Sequence, residues 1–273
     1  FTTGINEFFY LTPEQIKHWK IEKQFLKPVI RSSKECPSLI VNEKNLKYKV
    51  FCCNKPKSQL AGTNALRYIR WGERKCTASG VPWPQVPSVA GREQWYYLPE
   101  NIVADFLLLR FRDQRHYTPS NPSHFPVGDT VFVGAFREPS IAKVGIALLN
   151  SFISFLSAEV IGRVNLGDGL LTTYGPEIKE MLLPDPALFL NNKRLLGAFR
   201  TLTRRNVRPL SEESRRRDRQ VFEKIILSGL GVNPNLFQRL AQAISDLIKE
   251  RLSLVQMRKK QKTSREKRDI KQL

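Results

Sequence analysis

The stretch from Ala147 to Pro186, ALLNSFISFLSAEVIGRVNLGDGLLTTYGPEIKEMLLPDP, decides how the rest of the chain is read. Its first part continues an apolar periodicity that begins at Ser140, which predicts one long amphipathic helix capped by Ser140 and ended near Gly162. Gly162, Gly167 and Gly169 follow, with Asp168 between the last two. This run fits neither the phosphate loop nor the dinucleotide fingerprint, which need a preceding strand and set glycine spacing, and Asp168 would repel phosphate. A tight turn with glycines at positive φ is the simpler reading. A magnesium-dependent nuclease would pair Asp168 with Glu177 and Lys179, placing two carboxylates on the metal and the lysine near the attacking water. Pro176 followed by an amphipathic run predicts a helix start there instead.

Working outward, Thr12, Pro13 and Gln15 form a helix-start signature, and a helix is expected from there to about Gln24, stopping before Pro28. Ser38–Val41 and Tyr48–Cys52 read as short strands. The Pro- and Trp-rich run SGVPWPQVPSVAGREQWYYLPE is too long for a simple connector. DFLLLRFR and DTVFVGAF read as two strands joined by an irregular loop. Further helices are expected over about 186–205, over 212–228, and from Asn233-Pro234 past Arg251 into a basic tail. The expected architecture is α+β, a mixed sheet and strand-loop body over residues 1–205 with long packing helices, followed by a C-terminal helical module over 206–273.

The 273 residues carry 45 Lys and Arg against 25 Asp and Glu, a formal charge of +20 that makes a polyanion the leading partner class. No apolar run approaches the ~20 residues that span a bilayer, and no signal-peptide pattern opens the chain, so no membrane association and a cytoplasmic location are expected. Cys36, Cys52, Cys53 and Cys76 include no C-x-x-C pair, and His18, His116 and His124 are remote from them, so reduced structural cysteines and no metal site are expected.

Several segments, read in order, resemble the C-terminal specificity region of adenine-N6 DNA methyltransferases of restriction–modification systems, the Taq-type and Eco57I-type enzymes. TTGINEFFYLTPEQIKHWKIEKQFLKPVIRSSKE is similar to that family's Thr-Gly-x-Asn strand, helix and Leu-Lys-Pro-Val segment. WYYLPE precedes a strand and an Asn-containing loop. Ala147–Pro186 resembles the family's Leu-Asn-Ser helix, glycine turn and closing Leu-Pro-x-Pro, and Arg208 onward its terminal helical pair. Asp168 stands in a glycine-like slot and Phe222-Glu223 where an aspartate is commoner, both structural departures.

The resemblance implies a target-recognition domain that grips double-stranded DNA and presents an adenine to a catalytic domain upstream of Phe1, where S-adenosylmethionine would bind. The Asn-Pro-Pro-aromatic motif that would hold the flipped base is absent, since the sequence has no Pro-Pro pair. No catalytic, cofactor or metal residue is therefore assigned in this chain, and it is not expected to transfer methyl groups alone. For DNA contact the candidates are planar donors on loops: Arg110, Arg112, Arg115, His116 and Asn121 around the strand-loop, and Arg163 and Asn165 at the glycine turn. Trp83, Trp95, Tyr96 and Tyr97 would either wedge into a duplex or pack their loop onto the body. Besides the nuclease, a basic RNA-binding scaffold is the other alternative.

Overall fold

The computed structural model describes residues 1–99, 103–164 and 169–269, with side chains described through Leu254 and at Met257. Along the chain run α1 (Asn6–Phe9), β1 (Tyr10–Leu11), α2 (Pro13–Trp19), β2 (Leu26–Val29), β3 (Tyr48–Phe51), α3 (Asn64–Gly72), α4 (Pro87–Ala90), β4 (Phe106–Leu108), β5 (Phe111–Arg112) and β6 (Phe132–Gly134). They continue with α5 (Pro139–Leu149), α6 (Phe152–Ile161), β7 (Arg163–Val164), β8 (Leu171–Thr172), α7 (Gly175–Lys179), α8 (Lys193–Leu202), α9 (Leu210–Glu213), α10 (Arg217–Gly229) and α11 (Phe237–Asp269). The fold is α+β, with small sheets among many helices.

Contacts divide the chain into two compact units, Phe1–Leu107 with Asn121–Ala135, and Leu108–Ser120 with Phe136–Leu273. This differs from a division at 205/206. Arg205 lies inside the second unit, where its guanidinium reaches Glu213 and Asp218 on the following helices.

In the first unit an antiparallel sheet of order β1-β3-β2 packs beside α1 and α3. Thr12 and Gln15 form the expected capping box of α2, but the helix ends at Trp19 because Lys20 adopts the left-handed conformation. Two residues on, Glu22 caps α3, accepting the Asn64 and Ala65 amides at 2.7 and 3.1 Å, so a tertiary contact ends the helix early. Ser38–Val41 forms no strand, while β3 forms within the second expected run.

The Trp-rich loop supplies core. Trp83, Trp95 and Tyr96 are buried, and the two indoles lie 6.0 and 4.5 Å from the Phe8 ring, which stacks on Tyr68 at 4.8 Å. Burying side chains of this size is worth ~1.5–3 kcal/mol each, which decides against their serving as DNA wedges. Tyr97 is half-buried and packs against the same core.

In the second unit the long helix expected from Ser140 is two helices, α5 and α6, bent by 71°. Ser151 caps α6 through the Ser154 amide, and the buried Asn150 amide occupies the break. Among the described residues no single helix is long and apolar enough to cross a membrane; α5 and α6 would suffice together by composition, but most of their residues are buried in the protein. The core of this unit joins α6, α10 and α11, with the Phe152 and Phe237 rings stacked 5.6 Å apart. The expected helix over 186–205 is a short 3-10 turn at Pro186–Phe189 followed by α8, capped by Asn192. That over 212–228 is likewise broken, into α9 and α10.

Candidate nucleic-acid interface

The second unit builds a small antiparallel sheet of order β5-β8-β7. Its register sets Phe111 opposite Thr172 and Thr172 opposite Arg163, while Arg112, Leu171 and Val164 form the neighbouring row. Opposed residues share a face and successive residues alternate. Arg112 and Leu171 therefore turn into the core, at 4% and 0% exposure, and Phe111 and Arg163 stand on the outer face. Phe111 is 46% exposed and the Arg163 side chain 65%.

Cations and rings cluster beside that face, with Arg110 at the bend before β5 and Tyr174 at the start of α7. The Arg110 guanidinium lies 5.3 Å from the Phe111 ring and 4.8 Å from the Tyr174 ring, and Arg163 lies 5.8 Å from Tyr174 on its own side. Cation–π contacts of this kind hold a guanidinium in place without discharging it. Arg110 is half-buried, and its Nε has no hydrogen-bond partner among the described residues. Arg163 differs, because it pairs with Glu177. Glu177 also accepts the Tyr174 amide at 2.9 Å at the start of α7, and that bond, followed by Arg163, holds its carboxyl below the usual range. Arg115 is partly exposed and pairs with Asp113 at 3.4 Å, while Asp113 also accepts the Arg115 amide at 2.8 Å.

Three of the sequence candidates, Arg112, His116 and Asn121, are buried, at 4%, 2% and 0% exposure, which counts against direct contact with DNA. Arg112 donates to Thr173 Oγ1 at 2.8 Å, and burial pulls its pKa down to about 10. The His116 Nε2 lies 2.8 Å from Glu159 Oε1, and burial keeps the ring below its ordinary pKa, with Glu159 opposing that shift and Arg112 and Arg251 adding to it. Asn121 spends its amide on a local turn, donating to Phe125 O and accepting from Phe125 N, both at 3.0 Å. Arg112 and Asn121 thus spend their planar donors on protein partners, and His116 faces Glu159 in the interior. Arg110, Arg115 and Arg163 remain accessible, and Asn165 lies outside the described residues.

The nuclease arrangement finds no support in this geometry. Glu177 and Lys179 are two apart on the short helix α7, where they do not face each other, and Glu177 is committed to Arg163 and the Tyr174 amide. Asp168 lies outside the described residues. Among the described residues no group of three or more His, Cys, Asp or Glu could hold a metal. Cys36 and Cys53 are buried free thiols, Cys52 is half-buried and Cys76 is exposed and free. The stretch that holds Gly169 lies between two strands, β7 and β8, whereas a cofactor loop of the dinucleotide kind leaves a strand and opens a helix. At Gly169 the backbone is left-handed, φ +75°, as expected for a glycine turn.

Sequence reasoning missed Phe111 and Tyr174, although the alternation in LLLRFR carried a signal for the first. It also passed over Arg251, whose guanidinium is buried in the second unit and pairs with Glu159. Nothing in its helical surroundings marks it as different from other arginines.

The comparisons with known proteins agree with this fold. A crystal structure of the type IIG restriction endonuclease BpuSI superposes with a TM-score of 0.57 at 13% sequence identity, over 89% of this chain and 28% of that one. The chain therefore spans little more than a quarter of the length of that enzyme, and the likeness is one of fold. No curated protein sequence matches the chain. The family model described as the C-terminal domain of the type II methyltransferase M.Eco57I matches residues 1–222, most of the chain, and the protein belongs to that family.

Proposed function

We propose that this chain is the DNA target-recognition domain of a restriction–modification methyltransferase that modifies adenine at N6. In that role it holds the duplex through phosphate contacts and reads a short sequence through side chains on the outer edge of the β5-β8-β7 sheet. The observation that carries the reading is the cluster of Arg110, Phe111, Tyr174 and Arg163: two guanidiniums against two rings beside the β5-β8-β7 sheet, in a chain with charge +20. Arginine forks match guanine edges in the major groove, and the same groups bind phosphate where they miss a base. The basic tail after Leu254 would add sequence-independent phosphate contacts. S-adenosylmethionine and the transfer chemistry belong to a catalytic domain of the parent enzyme.

Binding of the purified chain to fluorescent duplexes, measured as a function of salt, tests the reading. Affinity should fall steeply as salt rises, and repeated selection from a randomised duplex pool should enrich one short sequence. Absence of duplex binding at low salt would sink it, as would preference for structured RNA over duplex in competition. Plasmid incubated with the chain and magnesium should remain uncut.

A further inference from the structure

Arg251, on α11, is 2% exposed, and its guanidinium uses both edges of its fork. Nε and Nη2 face the Glu159 carboxylate on α6, at 3.1 and 2.9 Å to its two oxygens. Nη1 donates to the Gly169 carbonyl, and Nη2 donates also to the Asp113 carbonyl. Asp113 is the residue directly after β5, and Gly169 lies two residues before β8. One buried cation therefore ties the last helix to α6, to the turn that leaves β5 and to the segment that leads into β8. Arg115 stands on the first turn, and Arg163 begins the strand that pairs with β8. His116 completes the Glu159 side of the arrangement.

From this geometry we infer that Arg251 is a positioning residue for DNA reading, one that touches no DNA itself and acts through the two turns. The inference rests on the recognition reading above. Residue 251 lies outside the family match, which ends at residue 222, so a helix beyond the matched domain completes the domain's reading edge. Arginine is required by the geometry. A planar fork can span a carboxylate and two carbonyls at once, whereas a lysine ammonium offers three protons from one nitrogen. The charge is balanced locally by Glu159, whose carboxyl Arg251 and His116 help to hold below its usual range against the cost of burial.

Removing Arg251 alone would strand a buried carboxylate and could unfold the chain. The test therefore uses the double variant R251M/E159Q beside R251K, since a buried ion pair replaced by neutral groups of similar volume is commonly tolerated. Hydrogen exchange is read at the amides of 113–115 and 169–173, together with binding of the full chain to its selected duplex and to a scrambled one. In the double variant, exchange in both turns should rise at least about tenfold with the α6–α10–α11 core unchanged. The preference for the selected over the scrambled duplex should fall at least about tenfold, while scrambled-duplex binding stays within about twofold. A residue serving stability alone would weaken both duplexes together. Unchanged exchange in the two turns, or unchanged preference, would overturn the inference. Should the wild-type chain select no sequence, the recognition reading is what fails, and the clamp itself is then judged by exchange.

Discussion

Thr118 and Asn150, 32 residues apart, exchange two hydrogen bonds: the Thr118 amide donates to Asn150 Oδ1 at 2.8 Å, and Asn150 Nδ2 donates back to Thr118 O at 2.9 Å. The same Nδ2 donates to Ile146 O at 2.9 Å, so one buried side chain acts as a strand partner for a loop and as a terminator for α5. Replacing Asn150 by leucine leaves a buried amide and two carbonyls short of partners, and urea unfolding should show a loss of ~3 kcal/mol. A change under about 0.5 kcal/mol would mean that solvent reaches those groups.

The outer edge of the β5-β8-β7 sheet yields graded expectations. Arg110→Ala and Phe111→Ala should each weaken binding to the selected duplex about tenfold or more and relax its preference, with little effect on stability. Arg163→Ala should weaken all duplexes alike and reduce the salt slope by less than about one, because its charge is partly spent on Glu177. Fluorescence anisotropy against selected and scrambled duplexes separates these outcomes, and equal loss on both for Arg110→Ala would reassign that residue to phosphate binding.

Glu223 is expected to give the second unit a pH dependence. Complete burial pushes its pKa up from 4.5 to about 7, against the lowering effect of Arg219 and of the Phe152 amide it accepts. In the unfolded chain the same carboxyl releases its proton near 4.5, so between 4.5 and about 7 the folded state holds more protons and stability falls as pH rises. His116, held below its ordinary value, acts in the opposite sense over part of that range, so the comparison must be made by difference. Wild type minus Glu223→Gln should be flat below 4.5 and decline across the window by at most about tenfold in the folding equilibrium per pH unit. A flat difference curve from pH 4 to 8 would contradict the buried proton.

The helices beyond Arg205 should not fold alone. Arg205 forks onto Glu213 and Asp218, Arg219 Nη1 donates to Asn150 O at 2.8 Å, and Phe237 stacks on Phe152. A peptide of residues 206–273 should therefore lack a cooperative thermal transition by circular dichroism. A sharp melt of that peptide would restore a module boundary at 205.

How much of this was legible in the residues depends on the range of the interactions. The capping box at Thr12 and the helix start at Pro176 are local, and both were readable. The break at Asn150 was not, because its cause is a partner 32 residues away and the apolar periodicity runs on through it. The same holds for Trp83 and Trp95, which find Phe8 from a segment that reads as loop. In the candidate site, Arg110 and Arg163 were visible as arginines beside strands, but residue type alone could not separate them from Arg112 and His116. Strand register separates Arg163 from Arg112, which lie in adjacent rows of the sheet, whereas the partial exposure of Arg110 at the bend before β5 and the burial of His116 beyond it are set by tertiary packing.

The Arg251 fork also bears on how such domains could be exchanged between enzymes. A graft cut where the family match ends would sever α10 in mid-helix and leave Glu159 without its guanidinium partner. A graft that keeps the Glu159–Arg251 pair must extend past Arg251, so the stretch that carries its own counter-charge is longer than the matched family segment.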